Sequence, residues 1–211
     1  MDLLYKILFV IPAILLSFVV HEMCHAYAAY LFGDPTPKFD GRLSPDPRKH
    51  IDPFGAALIV ILLLIGSRFI FGWAKPVSVN ANNFKNPRQD MAWVAFAGPL
   101  SNFAMAAAVG MLLKFGVVSA GTLFGQFIVV FVMVNLGLGI FNMIPFPPLD
   151  GSKIIYGILP SDIAYKLMAM EMKYARFVPF VLIILILSGL LDPIIGYPYA
   201  FLFRVFTGLN I

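Results

Sequence analysis

Long apolar runs alternate with short polar stretches along the whole chain. The runs cover Leu3 to Phe32, Pro53 to Trp73, Met91 to Phe115, Gly121 to Met143, Phe177 to Leu191 and, more weakly, Tyr197 to Phe206. Polar stretches separate them at Gly33 to Asp52, Ala74 to Asp90 and Pro145 to Arg176. A membrane-crossing helix needs about 20 predominantly apolar residues, so the pattern predicts an all-α polytopic bundle. A single membrane-embedded domain is expected over 1–211, with its core in 1–160 and additional C-terminal helices in 161–211. The first run flows without a cleavage-type break into a polar motif, so it reads as a spanning helix and not as a removable signal. Between the first and third runs two irregularities are expected. Lys38 to Leu43 alternates around Asp40-Gly41 and predicts a short β-hairpin. The run from Pro53 to Trp73 carries Gly66-Ser67-Arg68 in its interior and basic residues on both flanks, so it is expected to dip into the membrane and return.

Composition fixes the class. Hydrophobic residues make up 60% of the 211 and charged residues only 12%, against roughly 25% charged in soluble domains, and the mean hydropathy is +0.88. The net charge of +4 resides in short loops between apolar runs. That placement fits cytoplasmic loops of a multi-pass protein, of the bacterial plasma membrane, better than a nucleic-acid surface. The lipid bilayer is therefore the expected partner, and nucleic acid is not. One cysteine, Cys24, excludes an intramolecular disulfide and reads as helix packing.

The chemistry begins inside the first run, at His21-Glu22-Met23-Cys24-His25. On a helix, histidines at i and i+4 project from one face and can grip a single zinc ion, with Glu22 beside them as a base. Catalytic zinc takes about three protein ligands plus an exchangeable water, so a third donor must come from elsewhere. Asp150 is the best candidate. It follows Pro145, Pro147 and Pro148, which break the backbone at a depth where broken backbone must line a cavity or be buried in protein. Gly151 permits a close approach beside it. Asn102, in Ala97-Gly-Pro-Leu-Ser-Asn102, and Asn142 are carboxamides that either tie helices together or steady a reacting carbonyl. Pro99 is expected near the start of its helix, where it does no harm. His50 lies in a basic loop and reads as a loop hydrogen bond. Met168, Met170 and Met172, among Lys166, Glu171 and Lys173, read as an amphipathic surface helix.

Together, HExxH in a membrane helix, Gly-Pro-x-Ser-Asn and Asn-x-x-Pro-x-Pro-Pro-Leu-Asp-Gly resemble the site-2 protease family of intramembrane zinc metalloproteases. The likeness is to its small bacterial-type members without PDZ or CBS domains and spans about Ile11 to Leu159. The resemblance implies one zinc per chain held by His21, His25 and Asp150 between three core helices. It further implies Glu22 as general base, Asn102 and Asn142 near the substrate carbonyl, and transmembrane proteins as substrates; the basic flanks of the Pro53 to Trp73 run separately predict an active site toward the cytoplasmic side. Two other functions compete. A zinc-binding transporter or channel would need polar residues continuing through both leaflets, and none interrupts Ile128 to Val134 or Phe180 to Leu187. A catalytically silent membrane scaffold would have no use for Glu22.

Overall fold

The computed structural model describes residues 3–64 and 75–210. It is helical throughout, with no strand among the described residues beyond an isolated bridge at Ile51. After an N-terminal turn, α1 (Ile11–Leu31) is followed by α2 (Pro53–Leu64), α3 (Pro87–Lys114) and α4 (Leu123–Asn142). Then come α5 (Asp150–Ile158), α6 (Ser161–Tyr174), α7 (Val178–Leu187) and α8 (Asp192–Thr207). Among the described residues, three helices are long and apolar enough to cross a membrane: Lys6–Leu31, Pro87–Lys114 and Leu123–Asn142. A fourth candidate is the pair Phe180–Leu187 and Asp192–Thr207, bent by 69°.

Small residues decide how closely the three long helices pack. The buried stripe of α1 steps through Ala13, Ser17, His21, His25 and Ala29, each four residues from the last. On α3 the equivalent stripe is Gly98, Asn102, Ala106 and Gly110. Spacing of four keeps a stripe on one helix face, and small side chains let backbones approach where the hydrophobic effect offers nothing between membrane helices. Below these stripes α3, α4 and α8 share an apolar core of Ala106, Leu113, Ile128, Val132, Leu136 and Phe203.

Local signals set the helix starts. Thr122 Oγ1 accepts from the Gly125 amide and caps α4. Pro87 opens α3 at its first position, while Asp90 Oδ2 accepts from the Asn86 amide at 2.8 Å. Because α3 begins at Pro87, Pro99 lies inside the helix, contrary to the expectation of an early-turn position.

The hairpin expected at Lys38 to Leu43 is absent. Thr36–Phe39 forms one helical turn instead, because Asp34 Oδ1 accepts from both the Thr36 amide at 3.1 Å and the Thr36 hydroxyl at 2.6 Å. Prolines at 35 and 37 add φ values that suit a helical start. The reversal expected at Gly66-Ser67-Arg68 lies outside the described residues. Its flanks are described, and they meet. The Lys75 amide donates to the His50 carbonyl at 2.8 Å, and Arg42 Nη1 donates to both Lys49 O at 2.6 Å and Lys75 O at 3.1 Å. The described residues on either side of this run therefore lie against each other.

Candidate metal centre

Two helices, α1 and α5, bring three ligating atoms to one point. His21 Nε2 and His25 Nε2, one turn apart on α1, are 3.0 Å from each other. Asp150 Oδ2, in the first turn of α5, is 3.3 Å from the first and 3.2 Å from the second. All three residues are buried, and they form a group able to hold a metal ion. The glycines beside them are required by space. A Cβ on Gly98 would overlap both imidazoles, and one on Gly151 would overlap the carbonyls of Met143 and Ile144, which α5 packs against.

The hydrogen bonds on the far side of each imidazole decide what faces the meeting point. His25 Nδ1 lies 2.7 Å from the Val94 carbonyl, which can only accept, so Nδ1 carries the hydrogen. His21 Nδ1 lies 2.6 Å from Asn102 Oδ1, and it too donates. With Nδ1 protonated, each neutral ring presents a bare lone pair at Nε2. In that neutral form two nitrogen lone pairs and a carboxylate oxygen converge within 3.3 Å. Two imidazoles with one carboxylate form a donor set that suits zinc. The residues present therefore fit a zinc ion.

The site opens into a cavity of about 840 Å³ that also takes in Glu22, Asn142 and Lys153 and is otherwise mostly apolar. Asn142 Nδ2 donates to Leu138 O at 3.0 Å, leaving its carbonyl end toward the cavity wall. Cys24 is no part of the metal group, and its thiol lies against Ser101. His50 is also remote in role. It is fully buried in the loop region, with Nε2 donating to Ser44 O at 2.7 Å.

Asn102 is 0% exposed and absent from the cavity wall. Its Oδ1 takes the hydrogen of His21, and its Nδ2 donates to Asn135 Oδ1 at 2.8 Å. Of the two readings open to it, tying helices together and steadying a carbonyl, these bonds fit the first. Asn135 itself went unread in the sequence. A lone carboxamide at the end of the apolar stretch Ile128 to Val134 was the available signal.

The family model described as peptidase family M50 matches residues 116–187, a span that includes Asp150 and Asn142 and not the histidines. The chain is 39% identical over 170 residues to the "Putative zinc metalloprotease YwhC" of Bacillus subtilis, covering 77% of this chain and 74% of that protein. The chain belongs to peptidase family M50, the site-2 protease family. A second M50 relative, the "Putative zinc metalloprotease Rip2" of Mycobacterium tuberculosis, is 32% identical over 149 residues, 67% of this chain and 54% of its own length. The Rip2 of Mycolicibacterium smegmatis is 28% identical over 151 residues, 71% of this chain and 55% of its own. The chain spans about half the length of both Rip2 proteins. No solved structure matches.

Proposed function

We propose that this M50 member is an intramembrane zinc endopeptidase that hydrolyses peptide bonds in or near transmembrane segments of other membrane proteins. The observation that carries the reading is the convergence of His21 Nε2, His25 Nε2 and Asp150 Oδ2 within 3.3 Å, inside a spanning helix bundle and open to a cavity that also holds Glu22. These three residues would hold one zinc per chain. Bound there, the ion supplies a water of lowered pKa, roughly 7, and polarises the scissile carbonyl. Glu22 takes the proton of the attacking water and returns it to the leaving amine. Asn142, in the cavity wall, orients the substrate backbone near the ligands.

A transmembrane substrate hides its amides in helical hydrogen bonds and must unwind before attack. Pairing with an enzyme edge offsets the bonds lost. The hairpin expected at Lys38 to Leu43 would have offered such an edge, but Thr36–Phe39 is a helical turn, and the segment better placed is 75–80. It is free of helix and turn, and Pro76, Val77 and Val79 stand in the cavity wall. Among the described residues no hydrogen bond uses the backbone of Val77, Ser78 or Val79. The basic residues Arg48, Lys49, Lys75, Lys85 and Arg88 cluster in the loops around this segment, and the positive-inside bias supports reading that side as the cytoplasmic one of a bacterial plasma membrane.

The test is cleavage of a model transmembrane substrate reconstituted with wild type or with Glu22→Gln. Wild type should cut within or beside the membrane segment, and the variant should bind zinc and lose about 10²- to 10⁴-fold in rate. Equal turnover by the variant would remove Glu22 from the reaction.

A further inference from the structure

We infer that Asn102 and Asn135 form a one-way hydrogen-bond relay, anchored on a backbone carbonyl of α4, that fixes which nitrogen of His21 is bare and so sets how tightly the site takes metal. The inference rests on His21 being a metal ligand as proposed above.

The direction of the relay follows from its anchor. Asn135 Nδ2 lies 2.9 Å from the Phe131 carbonyl, and a carbonyl only accepts, so the amide nitrogen of Asn135 must face it. Its oxygen then faces Asn102 at 2.8 Å, which obliges Asn102 to present its own amide nitrogen. The Asn102 oxygen is left for His21, and at 2.6 Å it requires a hydrogen on Nδ1. Turning either amide over would set oxygen against oxygen or hydrogen against hydrogen. Both asparagines are fully buried, where an unmade hydrogen bond costs most. Three helices therefore cooperate on one proton: α4 supplies the anchor, α3 the transmitter and α1 the ligand.

His25 reaches the same state by a shorter route, directly from the Val94 carbonyl. His50 holds the opposite one, since Nε2 donates to Ser44 O and Nδ1 has no partner. These are the chain's three histidines. Each is thereby assigned a tautomer that can be read separately. Asn102 and Asn135 touch neither substrate nor metal in this arrangement and act as positioning residues through His21.

The experiment is nitrogen NMR of ¹⁵N-histidine-labelled, zinc-free full-length protein in nanodiscs, at about pH 8 where ordinary imidazoles are neutral, paired with zinc titration against a competing chelator. In wild type, His21 and His25 should be protonated at Nδ1 and His50 at Nε2. In Asn135→Leu, His21 should lose the Nδ1-protonated state while His25 and His50 keep theirs, and zinc affinity should fall about 10- to 100-fold, as for loss of an outer-shell partner. In Asn135→Asp, a carboxyl oxygen still accepts from Asn102 Nδ2, so the His21 tautomer should persist and zinc affinity should stay within about 3-fold of wild type. Protonation of His21 at Nε2 in the zinc-free wild type would overturn the relay, as would an unchanged His21 signal and zinc affinity in Asn135→Leu. If the leucine variant does not fold, the wild-type spectrum and Asn135→Asp decide the matter. A wild type with the expected tautomers that takes up no zinc would overturn the metal reading and leave the relay intact.

Discussion

Two regions of this molecule bury charged or polar side chains, and they differ in what those side chains face. In the loop knot between α1 and α3, Asp34 and Arg42 are 0% and 3% exposed, yet their groups are closed off by partners. Asp34 accepts from the Thr36 amide and hydroxyl, the Asn80 amide and the Asn83 side chain. Arg42 donates to the carbonyls of Lys49, Lys75 and Pro76. At the metal corner, by contrast, the outer ends of both imidazoles are satisfied and the inner ends, in the neutral form, converge on Asp150 with no donor among them. Burial alone does not mark a site, and neither does a single orphan atom, for His50 Nδ1 in the knot is one. What marks it is several acceptors aimed at one point while everything behind them is held.

That contrast predicts that variants of the corner change metal and rate, whereas variants of the knot change stability. Asn142→Ala should slow hydrolysis by up to about 10²- to 10³-fold, with zinc retained, if its carboxamide meets the substrate backbone. Steady-state rates on a reconstituted substrate check this, and wild-type rates would detach Asn142 from the site. Gly98→Ala should push a methyl group into both imidazoles, lowering zinc affinity by about 10- to 100-fold at an overpacking cost of about 1–3 kcal/mol. Chelator competition reads the first quantity, and unaltered affinity would show that the histidines have room to move.

In the knot, Asp34→Ala orphans four donors and should cost about 2–4 kcal/mol of stability by denaturant titration, with zinc content unchanged. Burial pushes the Asp34 carboxyl up, but the hydrogen bonds from Thr36, Asn83 and Asn80 outweigh it and hold the folded pKa below the ordinary value. Its contribution is therefore complete above about pH 4 and lost as pH falls through the lower folded pKa. Asp34→Asn should remove that acid limb. The smallest effect is expected from Lys153→Met. Its ammonium is 4.0 Å from Asp150 Oδ1 and half-exposed, so zinc affinity should change by less than about 5-fold.

The sequence carried the three spanning helices because length and apolarity alone specify them. It also carried His21, His25 and Asp150, since a helical i, i+4 pair and a carboxylate beyond a run of prolines each have a local physical signature. The roles of the asparagines were not legible. Whether Asn102 faces cavity or bundle depends on the rotation of α3, and that is set by Gly98 and Ala106 packing against other helices. Asn135 escaped notice because one amide in an apolar helix gains meaning only when its partner across the bundle is known. The hairpin failed for a nearer reason. Asp40-Gly41 was weighed as a turn, while the stronger signal was Asp34 capping Thr36 a few residues earlier.

The most direct test of the central claim is the metal content of the purified chain. Elemental analysis of wild type should give about one zinc per chain, and His21→Ala, His25→Ala and Asp150→Ala should each lose it, because two remaining ligands do not hold catalytic zinc. Full zinc in all three variants would contradict the assignment, as would hydrolysis of a transmembrane substrate by a wild type shown to be free of metal.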